Sequence, residues 1–123
     1  KQGKTNKTAK AGFTLVELLV VIAIIAILIS VGVVSYTRSL KLSRDARRKT
    51  DLEQIRQALE TYRSELGAYP ANTSSLTPDY ITLVPEDPKA PSSTYIYTLN
   101  SSYTYNLCAT LEAPVLNYCL QEP

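Results

Sequence analysis

The sequence predicts an α+β protein, in which one long N-terminal α-helix, transmembrane in its first half and amphipathic in its second, packs against a small antiparallel β-sheet head. Three observations carry this. Residues 13–34 form an apolar block of 22 in which Glu17 is the sole ionisable side chain. An apolar stripe at helical spacing follows it, and two strand-like runs come after a proline-rich stretch.

The apolar block sets the architecture. At about 1.5 Å per residue it would span roughly 33 Å as a helix, enough to cross a bilayer. The run LVELLVVIAIIAILISVGVV is apolar on every side, as suits a helix facing lipid or other helices, where the backbone must satisfy its own hydrogen bonds. Gly32, beside two valines, is its weakest helical point. Residues 13–36 therefore read as a transmembrane helix.

Ahead of it, residues 1–12 are polar and aperiodic and carry Lys1, Lys4, Lys7 and Lys10, the composition of an unstructured leader on the cytoplasmic side. The net charge of +2 depends on these lysines; without them nine basic residues face eleven acidic ones. That balance argues against a global basic surface for nucleic acid. No methionine occurs, which predicts that the natural start is missing.

Residues 37–67 continue the helix in amphipathic form. Leu52, Ile55, Leu59, Tyr62 and Leu66 recur at spacings of three and four and trace one stripe. No proline interrupts Phe13 to Tyr69, so one helix is expected from Phe13 to Leu66, with Gly67 ending it and Pro70 preventing its continuation.

Residues 68–123 make up the head. Pro70, Pro78, Pro85, Pro88 and Pro91, with Asn72, Ser74, Ser75 and Asp79, mark a structured loop. Tyr95–Leu99 and Tyr103–Leu111, separated by Asn100, Ser101 and Ser102, fit an antiparallel hairpin. Tyr103, Tyr105, Leu107, Ala109 and Leu111 share a face, and because a lone hairpin is unstable in water that face should cover the helical stripe. The tyrosines, including Tyr69, Tyr80, Tyr95 and Tyr97, should pack the core with their hydroxyls at its rim. Cys108 and Cys119 lie downstream of an export-like segment, which fits a disulfide in an oxidising compartment; two free thiols are the alternative. Since Cys108 shares the opposite face with Thr104 and Thr110, the bond is expected to fold the tail back over the outer side of the sheet.

Arg38, Lys41, Arg44, Arg47, Arg48 and Lys49, with Asp45 among them, form a basic run. It reads as a solvated helix face in contact with anionic lipid, or as a charged stripe that pairs between subunits or attracts DNA. Asp79, Glu86 and Asp87 lack the alternate spacing of a calcium loop and read as turn-forming acids. With no histidine, no glycine-rich phosphate loop and no nucleophile beside an evident base, the sequence implies no enzyme, cofactor or metal.

The order of basic leader, Gly12, Phe13, Thr14, Leu15, Val16, Glu17 and unbroken apolar helix resembles the signal of type IV prepilins and pseudopilins. In that family a membrane peptidase cuts after the glycine and methylates the new amine, and the fifth residue of the product is glutamate. The resemblance thus implies cleavage between Gly12 and Phe13, N-methylation at Phe13 and an assembly role for Glu17. Glycine allows the extended backbone a peptidase cleft needs, and a cut ahead of the apolar block leaves the helix attached, the reverse of an ordinary signal peptide. A carboxylate inside an apolar span costs about 2.5–3.5 kcal/mol on insertion scales, so Glu17 calls for a partner. The neighbouring subunit's N-terminal amine is one; snorkelling to the cytoplasmic interface is the other account.

The segment DLEQIRQALETYRSELGAYP also resembles the second helical half of major pseudopilins and short Gram-positive-type pilins, while beyond Tyr97 the likeness to pseudopilins fades. Their aspartate-rich calcium loop is missing, and a pilin-like Cys108–Cys119 loop stands in its place. What the resemblance implies is a structural subunit of a type IV pilus or type II secretion pseudopilus. It would pass from the cytoplasmic membrane into a homo-oligomeric filament outside it, with prepilin peptidase and the assembly machinery as partners. The alternatives are a minor pilin acting as a DNA or surface adhesin, and a monomeric membrane-anchored binding protein.

Overall fold

A computed structural model describes residues 12–122. They comprise helix α1 (Leu15–Leu66), a short 3-10 turn (Thr73–Leu76) and strands β1 (Ile96–Ser101), β2 (Thr104–Glu112) and β3 (Val115–Glu122). The fold is α+β. The chain separates into two compact units, one ending at Tyr36 and the other starting at Thr37. Residues 1–11, which hold most of the expected leader, lie outside the described residues.

In the first unit α1 starts at Leu15, two residues later than expected, because Thr14 serves as its cap. Its large apolar side chains are exposed throughout, from Leu15 to Val34. Ser30, the first hydroxyl in the apolar run, donates to the Ala26 carbonyl at 2.7 Å and so carries no unsatisfied donor into apolar surroundings.

In the second unit α1 buries one stripe, and that stripe begins earlier than its apolar part. Asp45, Arg48, Leu52, Ile55 and Leu59 are all buried, at spacings of three and four. Leu52, Ile55, Ala58 and Leu59 pack with Tyr69 and Leu76 of the loop and with Tyr105, Leu107 and Ala109 of β2. Tyr62 is partly buried, whereas Leu66, expected to complete the stripe, is 60% exposed at the helix end. Gly67 follows with φ of 81°, the left-handed conformation in which glycine carries no steric cost, and its N–H closes the last turn on the Arg63 carbonyl at 2.7 Å.

The sheet has three strands in the order β1-β2-β3, both pairs antiparallel. Tyr105, Leu107, Ala109 and Leu111 form the inner face of β2, but Tyr103 lies in the turn and is 59% exposed. The expected course of the tail needs correction. Instead of folding back over the outer side, it reverses at Ala113 and Pro114 and pairs with β2 along its whole length, from Glu112–Val115 to Tyr105–Glu122. Cys108 and Cys119 are direct cross-strand partners with Cα atoms 4.1 Å apart, and they are joined by a disulfide.

Tyrosine hydroxyls fasten the loop and sheet to the helix and, through Tyr97, to each other. Tyr95 donates to Asp51 at 2.6 Å, Tyr69 to Glu60 at 2.6 Å, Tyr80 to Glu65 at 2.9 Å and Tyr97 to the Pro70 carbonyl at 2.7 Å. Burial pushes the Tyr97 hydroxyl up to about 12, and burial with the Asp51 carboxylate raises Tyr95 further, so both remain proton donors at neutral pH.

The basic run is not uniformly a solvated face. Arg48 is 1% exposed and grips Asp87 with two parallel bonds of 2.7 and 2.9 Å, while its Nη1 reaches Asp45 at 2.8 Å and Glu112 at 2.9 Å. Arg44 grips Glu112 with two bonds of 2.8 Å, and Lys89 adds a third cation to Glu112 at 2.9 Å. Asp45 in turn accepts the backbone N–H groups of Glu112 and Ala113 at 2.9 Å. Arg44, Arg48 and Lys89 thus balance Asp45, Asp87 and Glu112, and every fixed carboxylate has several donors. Asp87, read from the sequence as a turn acid, is an ion-pair partner; its mate lies 39 residues away, a distance no local pattern reports.

Leaving one of these charges alone in the interior should cost about 3–5 kcal/mol, the usual penalty for breaking a buried pair. Urea unfolding of the detergent-solubilised full-length protein, followed by tyrosine near-ultraviolet dichroism, should show Arg48→Ala losing that much and Arg48→Lys less, since lysine keeps the charge but not the fork. An unchanged midpoint for Arg48→Ala would refute the importance of the network.

The same network sets the acid response. Contact with Arg48 lowers Asp87, the Arg44 fork lowers Glu112, and for Asp45 the burial that opposes ionisation is outweighed by two backbone N–H groups and Arg48. Carboxyls lowered in the folded state stabilise it above their unfolded values, ordinarily 3.8 for aspartate and 4.5 for glutamate, and lose that contribution as pH falls. The midpoint should therefore be level from about pH 7 to about pH 5 and drop below that.

Closing the 11-residue separation between Cys108 and Cys119 is worth at most about 3 kcal/mol in the chain-entropy model. Reductant should lower the unfolding midpoint by no more than that. Alkylation of the protein isolated without reductant should occur only after reduction.

Candidate processing and assembly site

Gly12, Phe13 and Thr14 precede the helix without regular structure, and Phe13 is 93% exposed. A Cβ built on Gly12 meets nothing within 4 Å, so the chain's own packing does not require glycine there. Its small size matters only to whatever binds this segment from outside.

Helix entry is organised by a reciprocal cap. The Thr14 hydroxyl accepts the Glu17 N–H at 3.2 Å, and Glu17 Oε2 reaches back to the Thr14 N–H and hydroxyl, each at 2.8 Å. This is a capping box, with threonine at the cap and glutamate three residues on, and it satisfies helix-terminal donors that would otherwise need water. The carboxylate also faces the positive end of the helix dipole. The Thr-x-x-Glu run ahead of an apolar block is the sequence signature of this cap, a second role for a glutamate that also reads as an intramembrane charge. Both Thr14 bonds use Oε2; Glu17 Oε1 makes no hydrogen bond among the described residues. One carboxylate can therefore cap its own helix and still accept a second donor.

The structure brings Gly12, Phe13 and Glu17 into one short segment at the helix start, while Cys108 and Cys119 belong to the sheet of the other unit. Among the described residues no group of three or more histidine, cysteine, aspartate or glutamate side chains is placed to hold a metal ion.

Residues 7–33 match the family model for the prokaryotic N-terminal methylation motif, the signal of type IV pilin and pseudopilin precursors. The match brackets Gly12, Phe13 and Glu17 and most of the exposed apolar helix. The motif implies processing by a prepilin peptidase and an assembly machinery, and the apolar helix suits a membrane anchor. Comparison with curated proteins gives no match, and comparison with solved structures gives none.

Replacing Thr14 by valine preserves its shape and removes the capping oxygen, at a typical cost of about 1 kcal/mol. Amide exchange at Leu15 to Leu18 in detergent micelles should accelerate in Thr14→Val and stay unchanged in Thr14→Ser.

Proposed function

We propose that this protein is a structural subunit of a type IV pilus or pseudopilus filament, cut between Gly12 and Phe13, methylated at Phe13 and drawn from the cytoplasmic membrane into the polymer. Residues 1–12 would be the leader, 13–36 the transmembrane and polymerisation helix, 37–67 its amphipathic continuation and 68–123 the loop and sheet. The observation that carries the reading is the coincidence of the methylation motif with a helix segment whose apolar side chains are all exposed within the chain. Such a surface needs lipid before assembly and other helices after it. The filament role is structural and calls for no catalytic group.

In this account cleavage creates a cationic amine at Phe13, and methylation keeps its charge. Amine and carboxylate are each costly alone in an apolar layer, and together they favour the axial stagger that joins them. The free Glu17 Oε1 supports this, because the amine of a neighbouring subunit can bind there without dismantling the Thr14 cap.

N-terminal sequencing of the mature protein should begin at methylated Phe13. Gly12→Val should accumulate as uncut precursor, and because nothing surrounds the Gly12 Cβ position the defect belongs to processing rather than folding. Glu17→Val should be cut normally and form no filaments alone. Wild-type abundance of Glu17→Val filaments would overturn the assembly role of this carboxylate.

A further inference from the structure

Most of the basic run is spent inside the second unit, which makes the remainder informative. Arg44 and Arg48 are held by Glu112, Asp45 and Asp87, Arg47 lies 3.9 Å from Asp51, and Lys49 sits over the Tyr118 ring. Arg38 and Lys41 are exposed and make no ion pair among the described residues. They stand three residues apart, and with Leu42, which is 48% exposed, they extend the Asp45–Arg48–Leu52 stripe upstream by helical spacing. The buried stripe therefore emerges from its cover as two cations with no ion pair among the described residues, flanked by an exposed apolar side chain.

A second patch has the opposite sign. The loop ahead of Asp87 carries Asp79 and Glu86, both exposed and both without an ion pair among the described residues. Between them Leu83 is 77% exposed. Asp87 is fixed to Arg48, and Tyr80 packs on Tyr62 with ring centroids 5.1 Å apart, so this acidic segment is anchored at both ends. It presents two charges with no ion pair among the described residues on either side of an exposed leucine.

We infer that the Arg38–Lys41–Leu42 patch of one copy docks on the Asp79–Leu83–Glu86 patch of the next. The occupant is a second copy of this chain, on grounds of charge complementarity and of an exposed leucine in each patch. Different patches on the two partners make the contact heterologous, and a heterologous contact whose rotation does not close propagates without limit. The inference rests on the filament reading and adds to it the side-chain chemistry that orients neighbouring heads.

The test is charge reversal in full-length protein expressed with its own processing machinery, with filaments counted by electron microscopy. Arg38→Glu/Lys41→Glu and Asp79→Lys/Glu86→Lys should each reduce filaments at least about tenfold, since like charges brought together cost several kcal/mol. The fourfold swap should restore them. Tyrosine near-ultraviolet dichroism checks that each variant is folded, and the neutral pair Arg38→Gln/Lys41→Gln, milder in effect, replaces any reversal that is not. Wild-type filaments with reversals that change nothing would overturn the docking and leave the filament reading standing. Absence of wild-type filaments would overturn both. If only the basic reversal matters and the swap fails to restore, the docking is overturned in favour of a lipid surface. In that case wild-type protein should bind phosphatidylglycerol vesicles over phosphatidylcholine vesicles and the basic reversal should not.

Discussion

Arg48 places a full positive charge where water cannot reach it, and the second unit is organised around that demand. A guanidinium taken out of water must have nearly all its donors satisfied, and no single segment of this chain can do so. Asp45 comes from the same helix, Asp87 from the proline-rich loop and Glu112 from the end of β2. Joining them fixes the loop and the β2–β3 turn to the helix at one point. Apolar side chains of similar volume could match or exceed the stability of such a network. They would not demand one geometry, whereas a planar fork with a two-oxygen mate does.

That constraint suits a unit with little apolar material. The core is a single layer between one helix stripe and the inner face of β2, closed by Tyr69 and Leu76. β3 pairs with β2, yet most of its side chains remain exposed, so burial contributes little to holding it. The disulfide compensates where burial is weakest, because it joins residues already opposite each other across the strand pair. Asp45 adds a second fixing point by accepting the N–H groups of Glu112 and Ala113 at the strand exchange. Ion pairs, a covalent link and tyrosine hydroxyls thus supplement a core that small domains seldom make large enough.

What was legible in the sequence were the features written in local order. The apolar block, the Leu52–Ile55–Leu59 period, the glycine stop and the β1–β2 hairpin depend on neighbours within a few residues, and the structure contains them. Two features were hidden for different reasons. Arg48 is chemically no different from the exposed cations beside it, and its burial depends on acids 39 and 64 residues away. β3 is obscured by its cysteine: a Cys108–Cys119 bond suggests a tail folded back over the outer side of the sheet, although Val115 to Leu120 is itself a plausible strand with a turn at Ala113–Pro114 ahead of it. The candidate processing site divides in the same way. Its residue identities were legible, whereas the reciprocal Thr14–Glu17 bonding, which leaves one carboxylate oxygen unbonded among the described residues, depends on the side-chain geometry at the helix start.

The two units stand in opposite relations to their surroundings. Beyond Thr37 the charged groups of the helix are mostly answered from within the chain, and the apolar stripe is covered. Before it, large apolar side chains from Leu15 to Val34 are about half exposed or more, and at about 25 cal/mol per Å² no isolated chain in water would leave them so. Lipid removes that cost without specifying an arrangement, because hydrocarbon contacts any apolar helix equally well. Specificity must then come from the few polar groups at the margins of the apolar segment. Glu17 lies at one margin with one oxygen unbonded among the described residues; Arg38 and Lys41 lie beyond the other with no ion pair among them. If the proposed filament reading holds, charges with no mate among the described residues at both margins of an apolar helix are the groups able to select one axial and rotational setting among identical neighbours.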